Sequence, residues 1–348
     1  MAARRLLGFA RSLAAWLALL LLAALLAADA LVHLPRPRRQ RLLQTIPDAA
    51  ARALTRVGHA AADITDGLGW TGRDAAAVLP QPADTNRLTR AGPPRRLPAC
   101  TAPDDLIVLG KTGFTIGYSP AWRHPVWVAY RADPARANPL PPRPSGFKPD
   151  PAAPRSPQHR EYSRSGYNRG HMVPNRVIAT RHGPAAQAQT FLTSNICPQR
   201  ASLNQGPWGN LEFRIAELWP ARYGPVWVLA GAVPAPAAQR LPSGIHVPAA
   251  FYQIVVAQPR DGPLRAFAVY MPQHVRRRTP VRSLLLSIDE LEALTGFDFL
   301  SELPDEAETA LEAATPTRLW PVGIAGTFQL LRERFRRYPV KRGQRARS

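Results

Sequence analysis

The chain has 348 residues, with 45 Lys+Arg against 24 Asp+Glu and a formal net charge of +21 at pH 7. At 45% hydrophobic and 20% charged residues it can bury a sizeable core, which excludes disorder throughout, and its cationic excess points toward polyanions. Two Cys exclude a disulfide framework and a four-Cys zinc site, and the 38 Pro, spread without a repeat, read as turns and linkers rather than collagen.

In chain order, Arg4 and Arg5 lead into an apolar run from Leu13 to Ala28, closed by Ala28-Asp29-Ala30. This is the outline of an export signal. The run is short for a spanning helix and long for a signal core, so residues 1–34 fit a cleaved signal peptide or an uncleaved anchor through residues 6–34. Arg36, Arg38, Arg39 and Arg41 on its far side weaken the case for an N-in anchor. The body of the protein is expected to be exported, periplasmic or extracellular, with tethering to the inner membrane as the variant case. There Cys100 and Cys197 could pair or stand as two buried thiols.

Residues 35–103 read as a Pro/Arg-rich tether with a local helix over 49–66. From residue 104 the texture changes. Leu106–Leu109, Val126–Tyr130, Val226–Leu229, Phe251–Ala257 and Leu264–Tyr270 are short β-branched or aromatic runs bounded by Gly and Pro, hence strands. Leu211, Ile215, Leu218 and Trp219 share a helical face, and Ser287 with Glu290 forms a capping box for a helix ending at Gly296. The pattern predicts an α+β domain over 104–311, with a mostly antiparallel central sheet flanked by helices. Residues 312–348 read as a basic tail, solvated or in contact with phosphate.

Several familiar motifs fail. Gly67-Leu68-Gly69-Trp70-Thr71-Gly72 has the letters of a dinucleotide fingerprint but follows a helical stretch, and Pro80 cuts off any helix after it. Gly110-Lys111-Thr112 lacks the glycine a phosphate-binding loop needs at position 105. What remains is dense in polar chemistry: Asn168-Arg169-Gly170-His171, Ser194-Asn195-Ile196-Cys197-Pro198-Gln199 and Leu203-Asn204-Gln205-Gly206-Pro207-Trp208-Gly209-Asn210-Leu211-Glu212. Phosphodiester hydrolysis needs a base for water, positive charge at the phosphate and usually a hard cation held by oxygen ligands. His171, Arg169, Asn204 and Glu212 are residue types for those tasks.

Taken together these blocks resemble the DNA/RNA non-specific endonuclease family, the ββα-metal nucleases, whose core reads D-R-G-H, S-N-I-x-P-Q and L-N-x-x-x-W-x-x-L-E. The resemblance extends over about residues 104–305. It implies that His171 is the general base, that Asn204 ligates one Mg²⁺, with Mn²⁺ as substitute, and that Glu212 holds waters in the outer shell of that ion. It further implies that Arg169 contacts phosphate, with Asn168 beside it in the substrate site. Asn195 would position the phosphate or the base, and Arg143 matches a further family arginine. The implied substrates are DNA and RNA, cut with little sequence preference. Nothing in the residues sets an oligomeric state. Asn168 departs from the family Asp, which removes one negative charge near the metal while keeping an acceptor oxygen. The alternative reading is a nucleic-acid-binding or uptake protein that keeps the fold with weakened catalysis. A Cys100–Cys197 disulfide would brace the S-N-I segment, and Pro207 is compatible with the Glu212 helix only in its first turn.

Overall fold

A computed structural model describes residues 95–96, 106–135, 140–235, 239–259 and 264–337. The export segment, the helix expected over 49–66 and Cys100 lie outside the described residues. The chain divides into two compact units, Gly72–Trp320 and the remainder.

The larger unit is built on a seven-stranded antiparallel sheet. Its strands are β2 (Ile107–Lys111), β3 (Phe114–Ser119), β4 (His124–Ala132), β7 (Val226–Val233), β8 (Ala250–Ala257), β9 (Arg265–Pro272) and β10 (Leu285–Leu286). Their spatial order is β10-β9-β8-β7-β4-β3-β2. β7 and β8 are buried at every position, and for that reason they read as continuous apolar runs rather than as alternating strands. The edges are handled by shortness: β10 has two residues, and β2 is half exposed. A two-residue strand, β1 (Arg95–Arg96), pairs with β11 (Phe297–Asp298). The sequence pattern did not announce β10, which has two residues, or β3, whose apolar character is interrupted by Thr115, Gly117 and Ser119.

Successive residues of a strand face opposite sides of the sheet, and the two sides carry different layers. Phe251 and Phe267 face a run of helical segments between Ala201 and Tyr223. The Trp208 ring meets Phe251 edge-on at 5.7 Å and the Trp219 ring meets Phe267 at 5.4 Å. Tyr252, Ile254, Trp227 and Leu229 point the other way, into a core with Ile288, Leu291 and Leu311. That second layer contains the helices Ile288–Thr295 and Asp305–Glu312. The capping box expected there forms: Ser287 Oγ accepts from Glu290 N, and Gly296 ends the helix at φ 70. Trp320 packs on Trp219 and Phe267, and its carbonyl accepts from Trp219 Nε1 at 3.0 Å. In the smaller unit, Gly323–Arg337 within the basic tail is helical.

Beside β4, His124 and His246 are both buried and face each other, Nε2 to Nδ1, at 3.2 Å. His124 Nδ1 lies 2.8 Å from the carbonyl of Pro125, which can only accept, so the proton sits on Nδ1 and Nε2 must accept from His246. Trp122 stacks on His246 at 4.7 Å. Burial, with each imidazole's charged neighbours, lowers His124 to about 3 and His246 to about 4. Both groups bind protons in the unfolded chain below the usual 6.5 but resist them when folded. Their contribution is therefore complete above pH 6.5 and is lost as pH falls toward 4, by an amount on the order of a few kcal/mol. The urea midpoint is expected to drop from pH 7 to pH 4.5, and to drop less in His246→Phe, which keeps the stack on Trp122. An equal drop in both proteins would refute the assignment.

Candidate active site

The three polar blocks of the sequence form a strand, a strand and a helical run in that order. β5 (Asn168–His171) pairs antiparallel with β6 (Ile196–Gln199), His171 opposite Ile196 and Asn168 opposite Gln199. The helical run starts two residues beyond β6, at Ala201. Arg169 and His171 lie on one face of β5 by the alternation of a strand, and Gly170 lies on the other. Gly170 has no room for a side chain, since a Cβ there would occupy the place of the Gln199 amide. Between β5 and β6 the chain makes the helix Asn175–Thr190, kinked at Gly183, where φ is 82. The Gly183-Pro184 pair hid this helix from pattern reading.

His171 stands in an aromatic box. The ring centroid of Phe147 lies 5.3 Å from its imidazole and that of Phe191 lies 4.9 Å away, edge to face. The guanidinium of Arg143 lies over Phe191 at 5.0 Å and is close enough to act electrostatically on His171. Burial, with Arg143 adding to it, lowers His171 to about 3. Its Nε2 is shielded from solvent and has no partner among the described residues. The imidazole is therefore neutral at ordinary pH, in its proton-accepting form.

Arg169 is aimed by its neighbours. Its Nη2 donates to the carbonyl of His159 at 2.9 Å and to Ser163 Oγ at 2.7 Å. His159 Nδ1 in turn accepts from Phe147 N at 3.3 Å, which links the arginine to the aromatic box. Asn168 occupies the same strand, half-buried, and has no side-chain hydrogen bond among the described residues.

Asn195, expected to position the phosphate or the base, is held among backbone groups. It is fully buried. Its Oδ1 accepts from Val173 N at 2.9 Å, and its Nδ2 donates to the carbonyls of Val173 and Thr190, each at 3.0 Å. The backbone of Asn195 also accepts from Met172 N at 3.0 Å. These bonds clamp the segment that follows His171 and tie it to the end of the Asn175–Thr190 helix.

Asn204 and Glu212 both stand on the helical run between Ala201 and Tyr223. The run comprises Ala201–Leu203, a wide π-type turn Asn204–Trp208, Gly209–Phe213, a second wide turn Arg214–Leu218, and Trp219–Tyr223. Such π-type turns frequently mark functional sites. Trp208 lies midway between the two residues and donates from Nε1 to Glu212 Oε1 at 3.0 Å, which holds the carboxylate in place. The Asn204 side chain makes no hydrogen bond among the described residues. Gly206 has non-helical torsions (φ −103, ψ −120), so Pro207 begins a new helical segment instead of interrupting one. A Cβ on Gly206 would stand 2.7 Å from the Arg277 carbonyl oxygen, which packs the exposed Arg276–Arg278 loop against the Asn204 turn.

The donor set fits the divalent ion that such a site requires. One amide oxygen and one braced carboxylate are hard oxygen donors, too few to strip the ion of all its waters, and this suits a cation that keeps several of them. Cys197 is a buried free thiol, its Sγ 3.6 Å from the Pro125 carbonyl, while Cys100 lies outside the described residues. Sequence reading missed Phe147, Phe191 and His159, which have no motif of their own, and Gln199. Gln199 is fully buried with both amide atoms unpartnered among the described residues. Its place inside the S-N-I block was the available signal.

Comparison with known proteins agrees with this geometry. The family model for DNA/RNA non-specific endonuclease matches residues 94–306. A nuclease of Nostoc sp. is 29% identical over 245 residues, covering 67% of this chain and 86% of its own. The mitochondrial nuclease EXOG of Danio rerio is 28% identical over 214 residues, covering 55% of this chain and 60% of its own. In a solved complex of EndoG with EndoGI, the matching chain aligns with a TM-score of 0.54 at 22% identity. That match covers 66% of this chain and 96% of the other, and supports the ββα-metal nuclease fold. The chain belongs to the DNA/RNA non-specific endonuclease family, whose members are divalent-metal-dependent hydrolases of nucleic acids.

Proposed function

We propose that the protein is an exported or membrane-tethered, Mg²⁺-dependent endonuclease that cuts DNA and RNA with little sequence preference. The observation that carries this reading is the neutral, boxed His171 on the ribbon that leads directly into the helix bearing Asn204 and Glu212. With Nε2 sealed off, Nδ1 is the nitrogen that takes the proton of the attacking water. An approaching phosphate raises the proton affinity of the imidazole, since a nearby negative charge favours its cationic form. Arg169, already oriented by His159 and Ser163, and Arg143, held over Phe191, bind the phosphate without reading bases. Asn204 and Glu212 would hold the divalent ion, with Trp208 keeping the carboxylate oriented. The ion supplies electrostatic stabilisation of the charge that develops on the phosphate oxygens. Asn168 keeps an oxygen at the position of the family Asp, which bears on metal affinity more than on the chemistry.

The net charge of +21 supports a backbone reader, whose binding is salt-dependent and blind to sequence. The apolar run behind Arg4 and Arg5 supports export, and N-terminal sequencing of the exported protein decides between a cleaved and a retained segment. The test of activity uses supercoiled plasmid and a structured RNA with Mg²⁺, Mn²⁺ or EDTA. Both substrates are expected to be degraded with either metal and to survive in EDTA. Salt-sensitive binding without cleavage in any divalent metal would establish instead the binding or uptake protein on the same fold.

A further inference from the structure

The chain is strongly basic, yet between Arg282 and Arg318 it has nine acidic residues and no Lys or Arg. This segment makes the helices Ile288–Thr295 and Asp305–Glu312, which lie against the face of the sheet opposite to the His171 site. Where they meet, one carboxylate oxygen from each of Asp289, Glu292 and Glu312 lies within 4.8 Å of the others. We propose that these three residues form a second divalent-cation site, of the Ca²⁺ type, that braces the two helices against each other.

Three observations support it. Glu312 is only 7% exposed, and its Oε1 has no hydrogen-bond partner among the described residues, a costly state for a carboxylate unless a cation or a proton satisfies it. The groups that act on Glu312 besides its burial are all carboxylates: Glu292, Glu308, Asp289 and Asp298. The spacing also suits the ion. Two oxygens that ligate one Ca²⁺ at about 2.4 Å lie no more than about 4.8 Å apart, a bound the three carboxylates satisfy. Glu292 Oε1 accepts from Phe299 N at 2.7 Å, so that carboxylate is already oriented, while exposed Asp289 leaves the outer side open to the waters that would complete the shell. Ca²⁺ is favoured over Mg²⁺ because carboxylates from two helices offer an irregular arrangement, and Mg²⁺ demands near-ideal octahedral geometry.

The test is the thermal midpoint of the full chain, freed of metal with EDTA and then supplied with millimolar CaCl₂. A rise of about 5 °C or more is expected. The same rise is expected in Asn204→Ala, whose catalytic-face ligand is gone, and no rise in Glu312→Gln. Should Glu312→Gln fail to fold, the double variant Asp289→Asn, Glu292→Gln, altered at less buried positions, is expected to lose the rise as well. Absence of a Ca²⁺ effect in the parent would mean that a shared proton or a basic side chain satisfies these carboxylates, and would overturn the proposal. So would a rise that disappears in Asn204→Ala and persists in Glu312→Gln.

Discussion

In His171→Ala, cleavage of plasmid and of structured RNA is expected to fall by about 10²–10⁴-fold, the range for removing a general base, while nucleic-acid binding persists. The imidazole sits in a box of Phe147 and Phe191, its Nε2 sealed and its neutral form secured by burial. Among the described residues the imidazole takes no part in the hydrogen bonds that hold the ribbon, because the clamp on this segment comes from Asn195 through Met172 and Val173. The fold should therefore survive the loss of the ring, and circular dichroism beside the activity assay checks this. Binding measured by gel shift in EDTA should remain within a few-fold of the parent, since the arginines supply the phosphate contacts. Retained cleavage would move the base elsewhere; loss of binding together with cleavage would show that the ring acts on substrate affinity.

Asp150→Ala is expected to have the largest effect on stability, a loss of about 3–5 kcal/mol, as for removing one partner of a buried ion pair. Asp150 is 2% exposed. It accepts from Lys111 Nζ at 2.8 Å, Ser194 Oγ at 2.6 Å and Ala152 N at 3.0 Å. Burial alone would raise its pKa, but these donors outweigh it and hold the carboxyl below its ordinary 3.8. Its contribution is therefore complete above pH 3.8 and is lost as pH falls through the lower folded value. The residue ties the loop after Phe147 to the turn at Thr193–Asn195, where Lys148 N donates to the Phe191 carbonyl and Thr193 N to that of Lys148. Urea denaturation at pH 7 measures the loss. Asp150→Asn, which keeps an acceptor for Ser194 but no charge for Lys111, should fall between the parent and Asp150→Ala. A loss below 1 kcal/mol in Asp150→Ala would show that the loop is held by its backbone bonds alone.

The central strands and the helix after Ser287 were legible because local chemistry dictates them. Val226–Val233 and Ala250–Ala257 are apolar throughout since both faces of the sheet are covered, and a capping box followed by glycine describes one helix wherever it occurs. The order of the catalytic blocks was equally legible. A strand carrying Arg169 and His171 keeps both on one face through its alternation, whereas the Asn204–Glu212 stretch is broken at Gly206 and its arrangement follows from the fold. Other elements hid for physical reasons. Gly183-Pro184 masks a helix, and Gly117 interrupts a strand because it makes room for the Trp127 ring.

By itself, the sequence determined the α+β class and, through the resemblance of its motifs, the nuclease family, since these depend on residue type and short-range spacing. It named His171, Asn204 and Glu212 as candidates for the base and the oxygen donors. The tertiary structure alone decided how those residues are conditioned. It enclosed His171 between Phe147 and Phe191, 24 and 20 positions distant, and spent the Asn195 amide on backbone. It left Cys197 a free thiol and set Glu312 beside Asp289 and Glu292 across two helices. Burial and the loss of water that accompanies it arise only when distant segments pack, and they govern proton affinity and hydrogen-bond satisfaction at every one of these positions.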